Sequence, residues 1–210
     1  MHSHSYLGVE ISQDLKWDAH ISKITASANR VNGFIRRNLE SCPKETKSLA
    51  YKTLVRPIIE YSSSVWDPYT KEHIQEIGKV QRRAARMVCN DYSQSTSDSV
   101  SKLMEELGWD LLSTRRKTMR VCLMHKALGG HLALPVSDYL RPAARATRHS
   151  TGNSFTQYST RTNCFKYSFI PRTIKDWNSL PPGIQTTPHI DNFKLAATNF
   201  FVNQDLSIKD

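Results

Sequence analysis

Four cations recur at three- and four-residue spacing in one stretch of the chain: Lys79, Arg82, Arg83 and Arg86. On a helix turning about 100° per residue they gather within roughly 100° of arc. Ile74, Ile77, Val80, Ala84, Met87 and Val88 fall on the opposite face. Lys79 with Arg83, and Arg82 with Arg86, are like-charge pairs at i,i+4, which weaken a helix standing alone. A phosphate backbone lying along the stripe relieves that repulsion and releases counterions. The arginine fork suits phosphate oxygens. The stripe therefore predicts non-specific, phosphate-driven binding of RNA or DNA. The competing reading is a solvated charged face, partly neutralised by Glu72 and Glu76. A second basic helix, over 111–128, adds Arg116, Lys117 and Arg120 beside an apolar face of Leu111, Leu112, Met119, Cys122 and Leu123. Arg115 points toward that face, which predicts a buried ion pair or a snorkelling side chain. From Arg115 to Arg148, eight Lys and Arg stand against the single acid Asp138.

The sequence carries no recognisable catalytic pattern. Two-metal nucleotidyl transfer needs closely placed carboxylates, and the sequence has no Asp-Asp. Glu105-Glu106 projects from adjacent helical faces, a poor metal site. No glycine-rich phosphate loop, HExxH or GxSxG occurs. His125 and His131 have no cysteine or carboxylate at ligand spacing, and His2 and His4 lie in a terminus expected to fray. Cys42, Cys89, Cys122 and Cys164 are too scattered for a zinc finger and read as small buried hydrophobes. No catalytic residue, metal or cofactor is expected.

The whole chain agrees with a polyanion partner. Its 29 Lys and Arg against 19 Asp and Glu give a formal charge of +10. No apolar run is long enough for a membrane span, and Met1–Tyr6 has no signal-peptide core. An intracellular, soluble protein with no membrane partner is the expectation. Tyr51, Tyr61, Trp66, Trp109 and Trp177 lie near cations, but their places at element ends suit core packing better than base stacking.

The elements that must carry these residues are mostly helices. Tyr6–Ile11 alternates as a short strand. It needs a partner, either an upstream sheet or residues 15–17, so the chain reads as a fragment. Asp18 suits the cap of a helix over 19–39. A second helix over 44–61 should kink or split at Pro57. Further helices are expected over 71–89, 100–107 and 111–128, the last ended by Gly129-Gly130. Residues 155–169 suggest two short strands around Asn163. A short helix follows over 170–177, then a break at Leu180-Pro-Pro-Gly183 and a last helix capped by Asp191. The fold class is mainly α: a thumb-like helical bundle with a short N-terminal β element and a small α+β C-terminal part. The expected organisation is a palm-edge β remnant over 1–17, a helical domain over 18–131, a linker over 132–153, an α+β region over 154–203 and a tail over 204–210.

Six motifs occur in order. They are Tyr6-Leu-Gly-Val-Glu-Ile11 with Leu15-Lys-Trp-Asp-Ala-His-Ile21, Leu54-Val-Arg-Pro-Ile-Ile-Glu-Tyr61, Val65-Trp-Asp-Pro68, Val80-Gln-Arg-Arg-Ala-Ala-Arg86, Leu107-Gly-Trp109, and Ser168-Phe-Ile-Pro-Arg-Thr-Ile174 with Trp177-Asn-Ser-Leu-Pro181. Together they resemble the region after the catalytic palm in reverse transcriptases of non-LTR retrotransposons of the jockey and LINE kind. The resemblance implies a thumb that grips template and primer, with the polymerase carboxylates of RNA-directed DNA polymerase upstream in a missing palm. It implies a truncated, inactive remnant whose partners are nucleic acid and the missing palm and fingers. It carries over no zinc knuckle. The alternative is a helical protein-interaction or structural module whose basic face meets acidic groups.

Overall fold

The computed structural model describes residues 3–92, 97–133, 135–143 and 153–207. The protein is mainly α-helical, and its one sheet among the described residues is a two-stranded antiparallel hairpin. The chain forms two compact units, Met1–Leu112 and Ser113–Asp210. The division falls ahead of most of the 111–128 helix, which the sequence grouped with the segment before it. Much of the expected 132–153 linker lies outside the described residues.

In the first unit, β1 (Ser3–Tyr6) pairs with β2 (Val9–Ser12), with Tyr6 opposite Val9. The strand expected over 6–11 is thus a hairpin, and the partner of Val9–Ser12 is the segment just before it. The chain reverses at Leu7-Gly8, where φ is +46° and +81°. A two-residue hairpin turn matched to strand twist needs positive φ at both central positions. Gly8 adopts it freely, but Leu7 meets a steric penalty. The Leu7 side chain is exposed and its carbonyl accepts the Tyr61 hydroxyl at 3.1 Å. Leu7→Asn should therefore raise stability by about 0.5–1 kcal/mol, read as an upward shift of the urea midpoint.

Helix α1 (Asp18–Asn38) begins one residue earlier than expected, with Trp17 at its cap and Asp18 in its first turn. There Asp18 favours the helix dipole and stands 3.0 Å from His73 Nε2. Pro57 splits the next helix as anticipated. Helix α2 (Lys44–Ala50) passes through a wide π turn at Tyr51–Val55 into α3 (Arg56–Glu60), whose first turn holds Pro57. Proline has no N–H to continue the ladder, so the bonding pattern breaks immediately before it. After α4 (Ser63–Trp66), helix α5 runs over Lys71–Cys89 with the expected bounds. The Thr70 hydroxyl accepts the His73 N–H at 3.4 Å, and Asn90 closes the helix in a left-handed conformation. Helix α6 (Ser97–Glu106) begins earlier than its apolar pattern suggested.

Ile21, Ala28 and Ile35 of α1 meet Ile77, Val80, Ala84 and Val88 of α5 in one buried cluster with Val55, Ile59 and Trp66. Tyr51 stacks on Trp109 with ring centroids 4.1 Å apart. Four of the five aromatics weighed above are core residues, whereas Tyr61 is exposed.

His20 is buried in this core, 5.1 Å from the Trp66 ring, and its Nδ1 accepts the Glu10 N–H at 3.2 Å. Burial holds the imidazole below its usual value of 6.5, with Lys23 lowering it further and Glu10 opposing. The unfolded chain then takes up the proton more readily than the folded one. Stability should be greatest above pH 6.5 and decline as pH falls from 6.5 through the folded value. Thermal unfolding between pH 7.5 and 5, followed by tryptophan fluorescence, should show that decline. His20→Gln should flatten it, because glutamine can accept the Glu10 N–H and gains no proton.

The second unit holds α7 (Leu112–Leu128) from Ser113 onward, α8 (Val136–Tyr139), α9 (Asn163–Lys166), α10 (Phe169–Ser179), α11 (Pro182–Gln185) and α12 (Ile190–Ser207). Strands around Asn163 are not formed. The Thr162 hydroxyl accepts the Phe165 N–H at 3.3 Å and starts α9 there. An isolated bridge, Pro142 with Phe155, is the β contact among the described residues of this unit. Asp191 lies inside the first turn of α12 and does not cap it. Val121, Met124, Ile174, Trp177, Phe193, Ala197 and Phe201 form the core. The Trp177 indole N–H donates to Asn153 O at 2.9 Å. Asn178 clasps the Phe155 backbone, accepting its N–H at 3.0 Å and donating to its carbonyl at 2.7 Å. This accounts for the neighbouring Trp-Asn pair in the sequence: one residue fills the core and the next pins the preceding loop.

Candidate nucleic-acid interface

Helix α5 buries Ile77, Val80, Gln81, Ala84, Ala85, Met87 and Val88, so its cations necessarily face outward. Lys79 and Arg83 are exposed, and Arg82 and Arg86 are half-buried. Arg82 folds back along its own helix, donating from Nη2 to Gln75 O at 3.3 Å. Gly78 makes room for it, since a Cβ there would stand 3.0 Å from Arg82 Nη1. Arg83 Nη1 donates to Asn29 Oδ1 of α1 at 3.1 Å. Both acceptors are neutral. Among the described residues no carboxylate forms an ion pair with Lys79, Arg82 or Arg83. Partial burial holds the Arg82 guanidinium below its ordinary value, and the charge of Arg86 lowers it further. The like-charge repulsion read from the sequence is therefore present in the folded protein.

The neutralisation considered for this stripe takes another form. Glu76 turns to α1, with Oε1 2.9 Å from the Thr25 hydroxyl, and Glu72 is exposed in the first turn. Asn29 and Arg36 lie seven residues apart, two turns along one side of α1. The Arg83–Asn29 contact thus brings an α1 stripe containing exposed Arg36 beside α5. Arg36 was missed because α1 was read for its apolar spacing alone. The signal was its seven-residue offset from Asn29.

The cations of α7 are placed differently. Arg116 and Arg120 are each 1% exposed. Arg120 Nη2 pairs with Asp176 Oδ2 of α10 at 2.5 Å. Lys117 is half-buried, 3.0 Å from Asp205 Oδ1 of α12 and 5.8 Å from the Phe201 ring centroid. Arg116 and Arg120 are thus inside their unit, out of reach of a phosphate backbone. A buried ion pair of the kind anticipated on this helix is made by Arg120. The face assignment failed because α7 is buried on more than one side, with Thr114, Arg116, Thr118, Arg120, Val121 and Met124 all inside.

Among the described residues no group of three or more His, Cys, Asp or Glu is placed to hold a metal. Glu106 pairs with Lys44 instead. His125 stacks on Phe193 at 4.3 Å, with Nε2 2.8 Å from Thr187 O. Burial pushes the Cys122 thiol up to about 11 and raises that of Cys89, so both remain thiols at neutral pH. Cys164 is exposed and Cys42, Cys89 and Cys122 are half-buried, so none takes the fully buried role expected of all four. No helix among the described residues is long and apolar enough to cross a membrane. Comparison of the chain with protein-family models, curated proteins and solved structures finds no match.

Proposed function

We propose that this chain is the region after the palm of a non-LTR retrotransposon reverse transcriptase and binds RNA or DNA non-specifically through the outward face of α5. The ordered motifs support the ancestry. One observation carries the binding role: Lys79, Arg82 and Arg83 share a helix face on which no described carboxylate pairs with them. The contact residues are Lys79, Arg82, Arg83 and Arg86, with Arg36 of α1 beside them. Arg116, Lys117 and Arg120 serve the interior of the second unit. The palm and fingers of such a polymerase are the protein partner this reading implies.

Binding of a labelled single-stranded oligonucleotide, measured by anisotropy across a salt series, tests the role. Neutralising three or four phosphates predicts a slope of log K against log salt of about −2 to −3. A slope near zero would exclude a phosphate-driven complex. The reading of α5 as a docking face for an acidic protein draws on the same cations. It predicts that an acidic polypeptide binds more tightly than the oligonucleotide at equal charge concentration, whereas the nucleic-acid reading predicts the reverse order.

A further inference from the structure

Lys47 of α2 is 3% exposed, and its Nζ donates to Asn90 Oδ1 at 3.0 Å. Among the described residues no carboxylate forms an ion pair with it. A buried ammonium held by one neutral amide is costly, because a charge taken out of water needs a compensating charge or a full set of hydrogen bonds. Lysine is rarely this buried without such a partner. Beside it lies a cavity of about 60 Å³ lined by Ile35, Arg36, Glu40, Lys47, Met87, Asn90 and Tyr92. That volume holds roughly four water-sized groups, the size of one tetrahedral oxyanion. Arg36 brings a second cation, kept in place over the Tyr92 ring at 4.9 Å. Asn90 is fixed at the left-handed end of α5, so the amide that holds Lys47 is itself positioned by the backbone.

We infer that this cavity is a binding site for a single phosphate group. Lys47 and Arg36 supply the charge and the donors. Glu40 supplies an acceptor, which a fully deprotonated oxyanion cannot use and a phosphate carrying one P–OH can. The site should therefore prefer phosphate to sulfate. Lys47 lies outside the α5 stripe and Arg36 borders both surfaces, so Lys47→Met tests this site without touching the α5 face.

Free phosphate and the terminal phosphate of a nucleic acid share this chemistry, and thermal unfolding of the full chain distinguishes the two. Inorganic phosphate, sulfate, a 5′-phosphorylated dinucleotide and its 5′-hydroxyl twin are compared at matched ionic strength. With phosphate at ten times its Kd, the midpoint should rise by about 3–5 °C, and sulfate should give less than half that shift. A further rise with the phosphorylated dinucleotide over its twin identifies a terminal phosphate as the ligand. No such difference identifies free phosphate. Lys47→Met should abolish the shift while leaving the ligand-free midpoint equal or higher, because it removes a buried charge. Arg36→Gln, at an exposed position that folding tolerates, should weaken phosphate binding at least tenfold. Glu40→Gln should narrow the phosphate–sulfate difference. Absence of a shift with either phosphate source overturns the inference, as does a phosphate shift that survives Arg36→Gln unchanged.

Discussion

Asp176→Ala should destabilise the second unit by about 3–5 kcal/mol, the largest stability effect expected of a single polar substitution in this protein. Arg120 is almost wholly buried, and burial pushes its guanidinium down to about 10, with Arg172 lowering it further and Asp176 opposing both. Removing Asp176 leaves that charge in the interior beside a second guanidinium. The loss is read from urea unfolding followed at Trp177, which lies next to Asp176 in sequence and in the core. Paired replacement, Arg120→Met with Asp176→Leu, should recover most of it, since an apolar pair of similar volume needs no compensation. A loss below about 1 kcal/mol for Asp176→Ala would mean that water reaches the pair.

The largest functional effect belongs to α5. Reversing Arg82, Arg83 and Arg86 together to glutamate should weaken oligonucleotide binding about 100-fold at low salt and flatten the salt slope by about two units. Arg82 and Arg83 should contribute little to any loss of stability, because their described bonds run to neutral acceptors, whereas Arg86, whose Nε is enclosed, should account for most of it. The same reversal of Lys117 alone should leave binding intact and lower stability, since its partner is Asp205 within its own unit. Binding unaltered by the α5 reversal would remove that face from the account.

These two predictions mark where the sequence could and could not be read. Helix α5 was legible because a single apolar face of aliphatic residues fixes its orientation, and the cations then have one place to go. The break at Pro57 was legible for an equally local reason, the absent N–H. Helix α7 was not. It packs on more than one side, so no single apolar stripe marks its interior. The carboxylates that draw Arg120 and Lys117 inward lie 56 and 88 residues further along the chain. Asp176 and Asp205 are among only five acidic residues after Leu112, and that scarcity was the available clue. The hairpin was misplaced because Leu-Gly is a weak turn signal beside Asn-Gly, so the alternation of Leu7, Val9 and Ile11 looked unbroken. The buried Lys47 left no local trace, since its burial depends on α5 passing beside α2.

The account rests on polyanion contact along the outer face of α5, and acetylation of individual lysines with and without a single-stranded oligonucleotide tests this most directly. Lys79 should be modified several-fold more slowly in the complex, with its free rate restored as salt rises. Exposed lysines elsewhere, such as Lys175 and Lys194, should be unaffected. An unchanged Lys79 rate in a complex that protects other lysines would contradict the account.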